Sequence, residues 1–196
     1  NTDIKETDVT KGMKAQAYAA RGLAFYYLAS FYAANPTSGA NQEYGIQVYT
    51  GAYDPNAYYG RTTVAETYAQ IIADLEKGIS DFNETTVDKG SLSANAARIV
   101  LSKAYLTRGQ AGDYQKAIQY ADAALASSTS TLITKDKIKS YFAGTTSAET
   151  KNQPETVFEI NMSLIANPGV NEAISSFYDP YGAKNYVMFR KDFAES

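Results

Sequence analysis

The chain has 196 residues, a net charge of −3, 44% hydrophobic residues, and neither cysteine nor histidine. That length supports one domain with its own core. The near-neutral balance, with no lysine–arginine run interleaved with aromatics, leaves no basic surface for nucleic acid. Disulfides and cysteine-ligated metals are excluded, and with histidine also missing, any acid–base chemistry falls to carboxylates, lysines or tyrosines.

The first predicted element is a helix from Thr10 to Ala34, with Thr10 as its cap and Asn35-Pro36 as its stop. Ala17, Ala20, Ala24, Tyr27, Leu28 and Phe31 form one stripe that Tyr18, Phe25, Tyr26 and Tyr32 widen, so this stripe is expected to be aromatic core rather than a cofactor site. Its longest apolar run, Gly22 to Ala34, is shorter than a bilayer span and reads as buried helix, so no transmembrane segment is expected. Asn1 begins without a basic, apolar or small-residue signal, and any export signal is expected to lie outside this sequence.

Residues 35–60 are rich in Gly, Pro, Asn and Ser and read as a long loop, of a length uncommon in compact domains unless it is functional or disordered. Tyr44, Tyr49, Tyr53, Tyr58 and Tyr59 give it too many aromatics for simple disorder. Tyrosine offers a flat apolar face that stacks on a sugar ring and a hydroxyl that bonds to it, and Asn41, Gln42, Gln47, Asp54 and Asn56 add groups that read sugar hydroxyls. Between Arg21 and Arg61 there is no lysine or arginine, which suits the loop to a neutral polyol better than to a phosphate. Tyr49, Tyr53, Asn56, Tyr58 and Tyr59 are the candidate ligand-binding residues. The alternative is that these tyrosines pin the loop onto the helices.

In RTTVAETYAQIIADLEKGISDF, Thr63 and Glu66 stand like a capping box. Val64, Tyr68, Ile71, Leu75, Ile79 and Phe82 then share one helix face, with Asp74, Glu76 and Lys77 expected on the solvated side. Two further helices follow in SANAARIVLSKAYLTRG and GDYQKAIQYADAALASS, the first capped by Ser93 and ended by Gly109. Ala97, Leu101, Ala104 and Tyr105 share a face of the first of these helices, and Tyr114, Ala117, Ile118, Ala121, Ala124 and Leu125 share a face of the second. Leu101, Ser102, Tyr105, Gly112, Asp113, Tyr114, Ala117 and Ala124 resemble a tetratricopeptide unit in order and approximate spacing, with Gln110, Ala111 and Gly112 lengthening the turn.

Thr134 to Phe142 reads as a short helix closed by Gly144, and Thr145 to Pro154 as a polar linker. TVFEINMS alternates, with Phe158, Ile160 and Met162 opposite Val157, Glu159 and Asn161, which suits a short strand. The turn-rich sequence beyond Ala166 ends without a closing amphipathic helix, as in a portion of a longer protein. The fold class is therefore mainly all-α: a tetratricopeptide-like helical scaffold with long loops and at most a short strand pair near the C-terminal part, forming a single domain over 1–196. Carboxylates such as Asp54, Asp74, Glu76, Asp81, Glu84 and Asp88 fit solvated charge better than a glycosidase pair, because none sits in an apolar segment that would make it a general acid. Asp54 and Asn56 have the first step of a calcium loop without its later ligands, so no metal site is assigned. No catalytic residue is assigned either.

The ordered series AYAARGLAFYYLASFYA, YGIQVYTG, TVAETYAQIIADLEKGI, SANAARIVLSKAYLTRG, GDYQKAIQYADAAL and PETVFEINMS resembles the SusD/RagB family of bacterial outer-membrane nutrient-binding lipoproteins, from about Lys14 to Ser163. The resemblance implies a non-enzymatic subunit without cofactor that binds an oligosaccharide or other neutral nutrient at the cell surface and works with a SusC-like TonB-dependent transporter. In such proteins the tetratricopeptide-like helices belong to the transporter-facing scaffold, and loop aromatics hold the ligand. Membrane association would run through a lipid anchor, whose cysteine this sequence lacks; it also lacks tryptophan and is shorter than family members usually are. The competing expectation is a tetratricopeptide-type protein-interaction scaffold with no sugar site of its own.

Overall fold

The computed structural model describes residues 5–52, 54–83, 88–127, 129–144, 149 and 153–160. Four long helices carry the fold: α1 (Asp8–Tyr32), α2 (Val64–Asp81), α3 (Ala94–Arg108) and α4 (Asp113–Ser127), followed by a 3-10 turn (Lys135–Lys137) and the short α5 (Ile138–Tyr141). They pack in chain order, α1 on α2, α2 on α3 and α3 on α4, with only a light contact between α1 and α3. This is the stacking of consecutive helical hairpins in a repeat scaffold.

Helix α2 follows its sequence closely. Thr63 Oγ1 accepts from the Glu66 amide at 3.2 Å while Glu66 Oε2 accepts from the Thr63 amide at 2.9 Å, closing the capping box. These bonds hold the Glu66 carboxyl below its usual range. Val64, Tyr68, Ile71 and Leu75 are buried, as the periodicity predicts. Asp74 departs from expectation. It is 2% exposed, not solvated, because it sits where α1 crosses and takes a two-pronged hydrogen bond from Arg21, 2.7 Å at each oxygen. Gln70 Nε2 adds a third donor at 2.8 Å, which satisfies a carboxylate that burial alone would penalise.

Helix α1 corrects the sequence reading at both its start and its face. The cap is Thr7, and Thr10 is its reciprocal partner at N3, so the helix begins at Asp8 and ends at Tyr32 with Ala33 as C-cap. The buried residues are Ala15, Ala19, Gly22, Phe25 and Ala29. The expected stripe of Ala17, Ala20, Ala24, Tyr27, Leu28 and Phe31 faces outward, with Phe31 75% exposed. Close approach decides this: a Cβ on Gly22 would lie 2.8 Å from Leu75 Cγ, and one on Gly78 would lie 3.1 Å from the Ala15 carbonyl. Where Gly22 meets Leu75 and where Ala15 and Ala19 meet Gly78, only small residues fit, while Phe25 fills the core further along the same face; α1 is apolar enough all round for either face to look like core.

Helix α3 is capped by Ser93 and closed by Gly109 in the left-handed region at φ 61°, and it buries Ala97, Leu101, Ala104 and Tyr105 as expected. Arg108 reaches across the turn to Asp113, its Nε and Nη2 donating at 2.8 and 2.7 Å, and the Gln110 amide donates to the same carboxylate at 2.9 Å. Arg108 first, and the Gln110 amide after it, hold the Asp113 carboxyl low. On α4 only Ala117 and Ala124 of the expected face are buried; Tyr114, Ile118 and Leu125 are exposed. The reason repeats that of α1, since α3 approaches over alanines and leaves the large residues outside.

Residues 155–160 lie against α3, leaving a turn at 154–155, and are tied by Thr131 N to Pro154 O at 2.9 Å and Glu159 N to Lys89 O at 2.8 Å. No strand forms among the described residues. The expected two-faced alternation is not kept, because Val157, Phe158 and Ile160 all border the same trough beside Leu23, Tyr27, Ile99 and Val100. Asn161 and Met162 lie outside the described residues. No helix among the described residues is long and apolar enough to cross a membrane.

Candidate functional site

The loop before α2 is held at its base, and its aromatics are not what holds it. Gly45 and Ile46 dock against the first turn of α2: Gly45 N donates to Thr62 O at 2.8 Å, Thr62 N to Ile46 O at 2.8 Å, and Ile46 N to Thr67 Oγ1 at 3.1 Å. Ile46 is buried in the main core and Val48 packs against it. A Cβ on Gly45 would meet Thr67 Oγ1 at 2.3 Å and the Thr63 carbonyl at 2.4 Å, so the backbone can come this close only at glycine. Arg61 completes the anchor by donating Nε to Gly45 O at 2.8 Å and Nη2 to the Tyr32 carbonyl at the end of α1.

Beyond this anchor the chain turns back on itself and brings two of the candidate residues together. The rings of Tyr49 and Tyr59 lie 4.8 Å apart at 57° to one another. Gln47 Nε2 donates to the Tyr59 carbonyl at 2.8 Å and fixes the return strand of the loop. Asp54 Oδ1 accepts from the Asn56 amide at 2.9 Å and Ala57 N donates to Asp54 O at 3.2 Å, which builds a turn from Asp54 and Asn56 instead of a cation loop. Among the described residues no group of three or more acidic side chains gathers as a metal site. Gln47, Tyr49, Asp54, Pro55, Ala57 and Tyr59 enclose an open cavity of about 270 Å3.

Within it the Tyr49 hydroxyl is buried, and no partner reaches hydrogen-bond geometry. Burial first, and the neighbouring Tyr59 hydroxyl second, push its phenol above the ordinary value. A phenol that keeps its proton and lacks a partner has both a donor and an acceptor to offer a ligand hydroxyl.

The remaining candidates stand differently. Tyr58 is 97% exposed and does not line the cavity, and Asn56 lends its backbone to the turn without lining the cavity. Tyr53 lies outside the described residues. Arg61 is the residue the sequence reading passed over. Its signal was its isolation, as the first cation after Arg21.

The carboxylates of the scaffold are engaged elsewhere. Glu76 Oε1 accepts from Tyr105 at 2.8 Å and from Tyr120 at 3.3 Å, and the two rings stack at 5.8 Å. Burial pushes the Tyr105 phenol well up, and its bond to Glu76 adds to this. Asp81 is bridged by Lys77 at 2.7 Å.

A family model described as starch-binding and associating with the outer membrane, that of SusD-like proteins, matches residues 1–106. The chain belongs to the SusD-like family. Among solved structures, a putative sugar binding protein from Bacteroides vulgatus ATCC 8482 is 27% identical with a TM-score of 0.75, covering 92% of this chain and 40% of that one. A SusD-like carbohydrate binding protein from the same organism is 30% identical with a TM-score of 0.60, covering 70% and 29%. A SusD superfamily protein from Bacteroides thetaiotaomicron VPI-5482, 23% identical with a TM-score of 0.71 over 84% of this chain and 34% of that one, shares the fold. The SusD-like chain thus spans well under half the length of these relatives. No curated protein matches it.

Proposed function

We propose that this protein binds a glycan at the bacterial cell surface, without catalysing its turnover, and passes it to a SusC-like TonB-dependent transporter in the outer membrane. One observation carries the reading: the Tyr49–Tyr59 pair walls an open cavity on a loop whose base is anchored separately by Gly45, Ile46 and Arg61. Aromatic faces and a buried phenol without a partner are what a neutral oligosaccharide uses, the faces for its C–H surface and the hydroxyl for its own. Family membership supports the same direction. Tyr49 and Tyr59 are the primary contacts, with Tyr53, Asn56 and Tyr58 as outer contacts for a longer chain. A non-catalytic role is supported by the engagement of Asp74, Asp81 and Glu76 in structural bonds, and by Asp54 being the only carboxylate among the described residues that line the cavity.

The test is titration with a panel of neutral oligosaccharides by calorimetry, repeated with Tyr49→Ala and Tyr59→Ala. Affinity for at least one member that drops in both variants is expected; affinity indifferent to both substitutions removes the loop from the site.

A second reading, a protein-interaction scaffold without a sugar site, is favoured by the apolar outer faces of α1 and α4, where Tyr27, Phe31, Ile118 and Leu125 stand exposed. It predicts co-purification with a membrane transporter and no affinity across the whole panel.

A further inference from the structure

The wall of the Tyr49–Tyr59 cavity carries a carboxylate, Asp54, and no cation. Arg61, the nearest arginine along the chain, has its guanidinium committed to the carbonyls of Gly45 and Tyr32. No other lysine or arginine occurs after Arg21 until beyond the loop. Asp54 is held in place by the Asn56 amide on Oδ1, and among the described residues nothing bonds its Oδ2. The faces of two tyrosine rings also present negative potential. The one charge in this wall and the two ring faces therefore share an electrostatic sign, an arrangement that attracts a cation and repels an anion.

We propose that this site filters sugars by charge: a ring bearing an ammonium group binds better than its neutral counterpart, and a ring bearing a carboxylate binds worse. The proposal rests on the glycan-capture reading of the same cavity and adds the class of sugar it prefers. An amino-sugar ammonium gains the tyrosine faces and the free Asp54 oxygen together, whereas a uronate meets a like charge with no arginine to offset it.

The experiment compares three β1→4-linked gluco chains of equal length that differ only at C2 or C6: a fully deacetylated chito-oligosaccharide, a cello-oligosaccharide and a glucuronan oligomer. At low ionic strength the expected order is amino, neutral, acidic, with steps of about two- to fivefold in Kd. Raising the salt compresses the order, since the site is open to solvent. Asp54→Asn keeps the Oδ1 acceptor that the turn needs, and it should bring the three affinities together while leaving the thermal midpoint unchanged. An order that survives Asp54→Asn, tighter binding of the acidic chain, or no binding of the chito-oligosaccharide overturns the filter. The neutral panel described above decides separately whether capture itself stands.

Discussion

Along the α1–α2 seam, Ala15, Ala19 and Gly22 lie against Leu75 and Gly78, and the charged pair Arg21–Asp74 that enters it is bonded at both carboxylate oxygens. A few residues further on, the tyrosine loop buries Ile46 and little else, and leaves its rings around an open cavity. The seam spends its large and polar groups on holding itself together. The loop is held by a glycine, an isoleucine and an arginine, so its aromatics are available for something outside the molecule. Removing a seam residue should cost stability, and removing a loop tyrosine should cost binding.

The largest effect should come from Leu75→Ala in the middle of the seam. Leu75 is fully buried, and the loss of its side chain leaves a cavity between α1 and α2, lowering unfolding free energy by about 2–5 kcal/mol in chemical denaturation. Gly45→Ala probes the boundary between the two regions. Its methyl group collides with Thr67 and with backbone carbonyls, so a destabilisation of about 1–3 kcal/mol is expected, together with loss of sugar affinity as the loop base shifts. A variant that keeps full stability would show that the loop base is not part of the scaffold.

A smaller effect is expected from acid. The carboxyls of Asp113 and Asp81 are held below their ordinary value in the folded protein by Arg108 and Lys77. Groups with a lowered folded pKa contribute stability that is present above the unfolded value, near 3.9, and is lost as the pH falls through the folded one. Thermal midpoints measured from pH 6 down to pH 2 should therefore fall mainly at the acid end, and Asp113→Asn should flatten that fall. A midpoint that rises on acidification contradicts the assignment.

The smallest effect on stability should be that of Tyr49→Phe. Its hydroxyl makes no bond of full hydrogen-bond geometry, with Tyr59 and the Asp54 backbone only nearby, so the thermal midpoint should move little while sugar affinity falls several-fold. A lowered midpoint would break the contrast between seam and loop.

How much of this was visible in the amino-acid order depended on where charge was placed. Helix α2 has Glu66, Glu76 and Lys77 on one side and Val64, Tyr68, Ile71 and Leu75 on the other, so its buried face and its capping box were both legible. In α1 the outer side is as apolar as the inner one, and a 3.6-residue period has two solutions there. The structure chose Ala15, Ala19, Gly22, Phe25 and Ala29, and left Ala17, Ala20, Ala24, Tyr27, Leu28 and Phe31 outside. Tyr114, Ile118 and Leu125 of α4 were misplaced for the same reason. On α1 the deciding contacts are steric: where Gly22 meets Leu75 and Ala15 and Ala19 meet Gly78, the helices come too close for anything larger, and that fixes which face turns inward.

The loop was legible in composition but not in construction. Its tyrosines stood out, yet which of them meet across space depends on the turn at Asp54 and on the anchor at Gly45 and Ile46, and these were set by Thr62 and Thr67 further along the chain. Tyr49 and Tyr59 are ten positions apart and become neighbours; Tyr58, beside one of them, does not.

Arg61 ties the last carbonyl of α1 to the base of the loop, so the segment from Gln47 to Gly60 leaves and re-enters the scaffold through one closed gate. Loop closure costs rise only with the logarithm of length, about 0.6 kcal/mol for each doubling. The segment inside the gate is therefore an exchangeable cassette, in which residues can be inserted, deleted or replaced wholesale while the four helices keep their packing. A scaffold built this way can change what it captures without refolding.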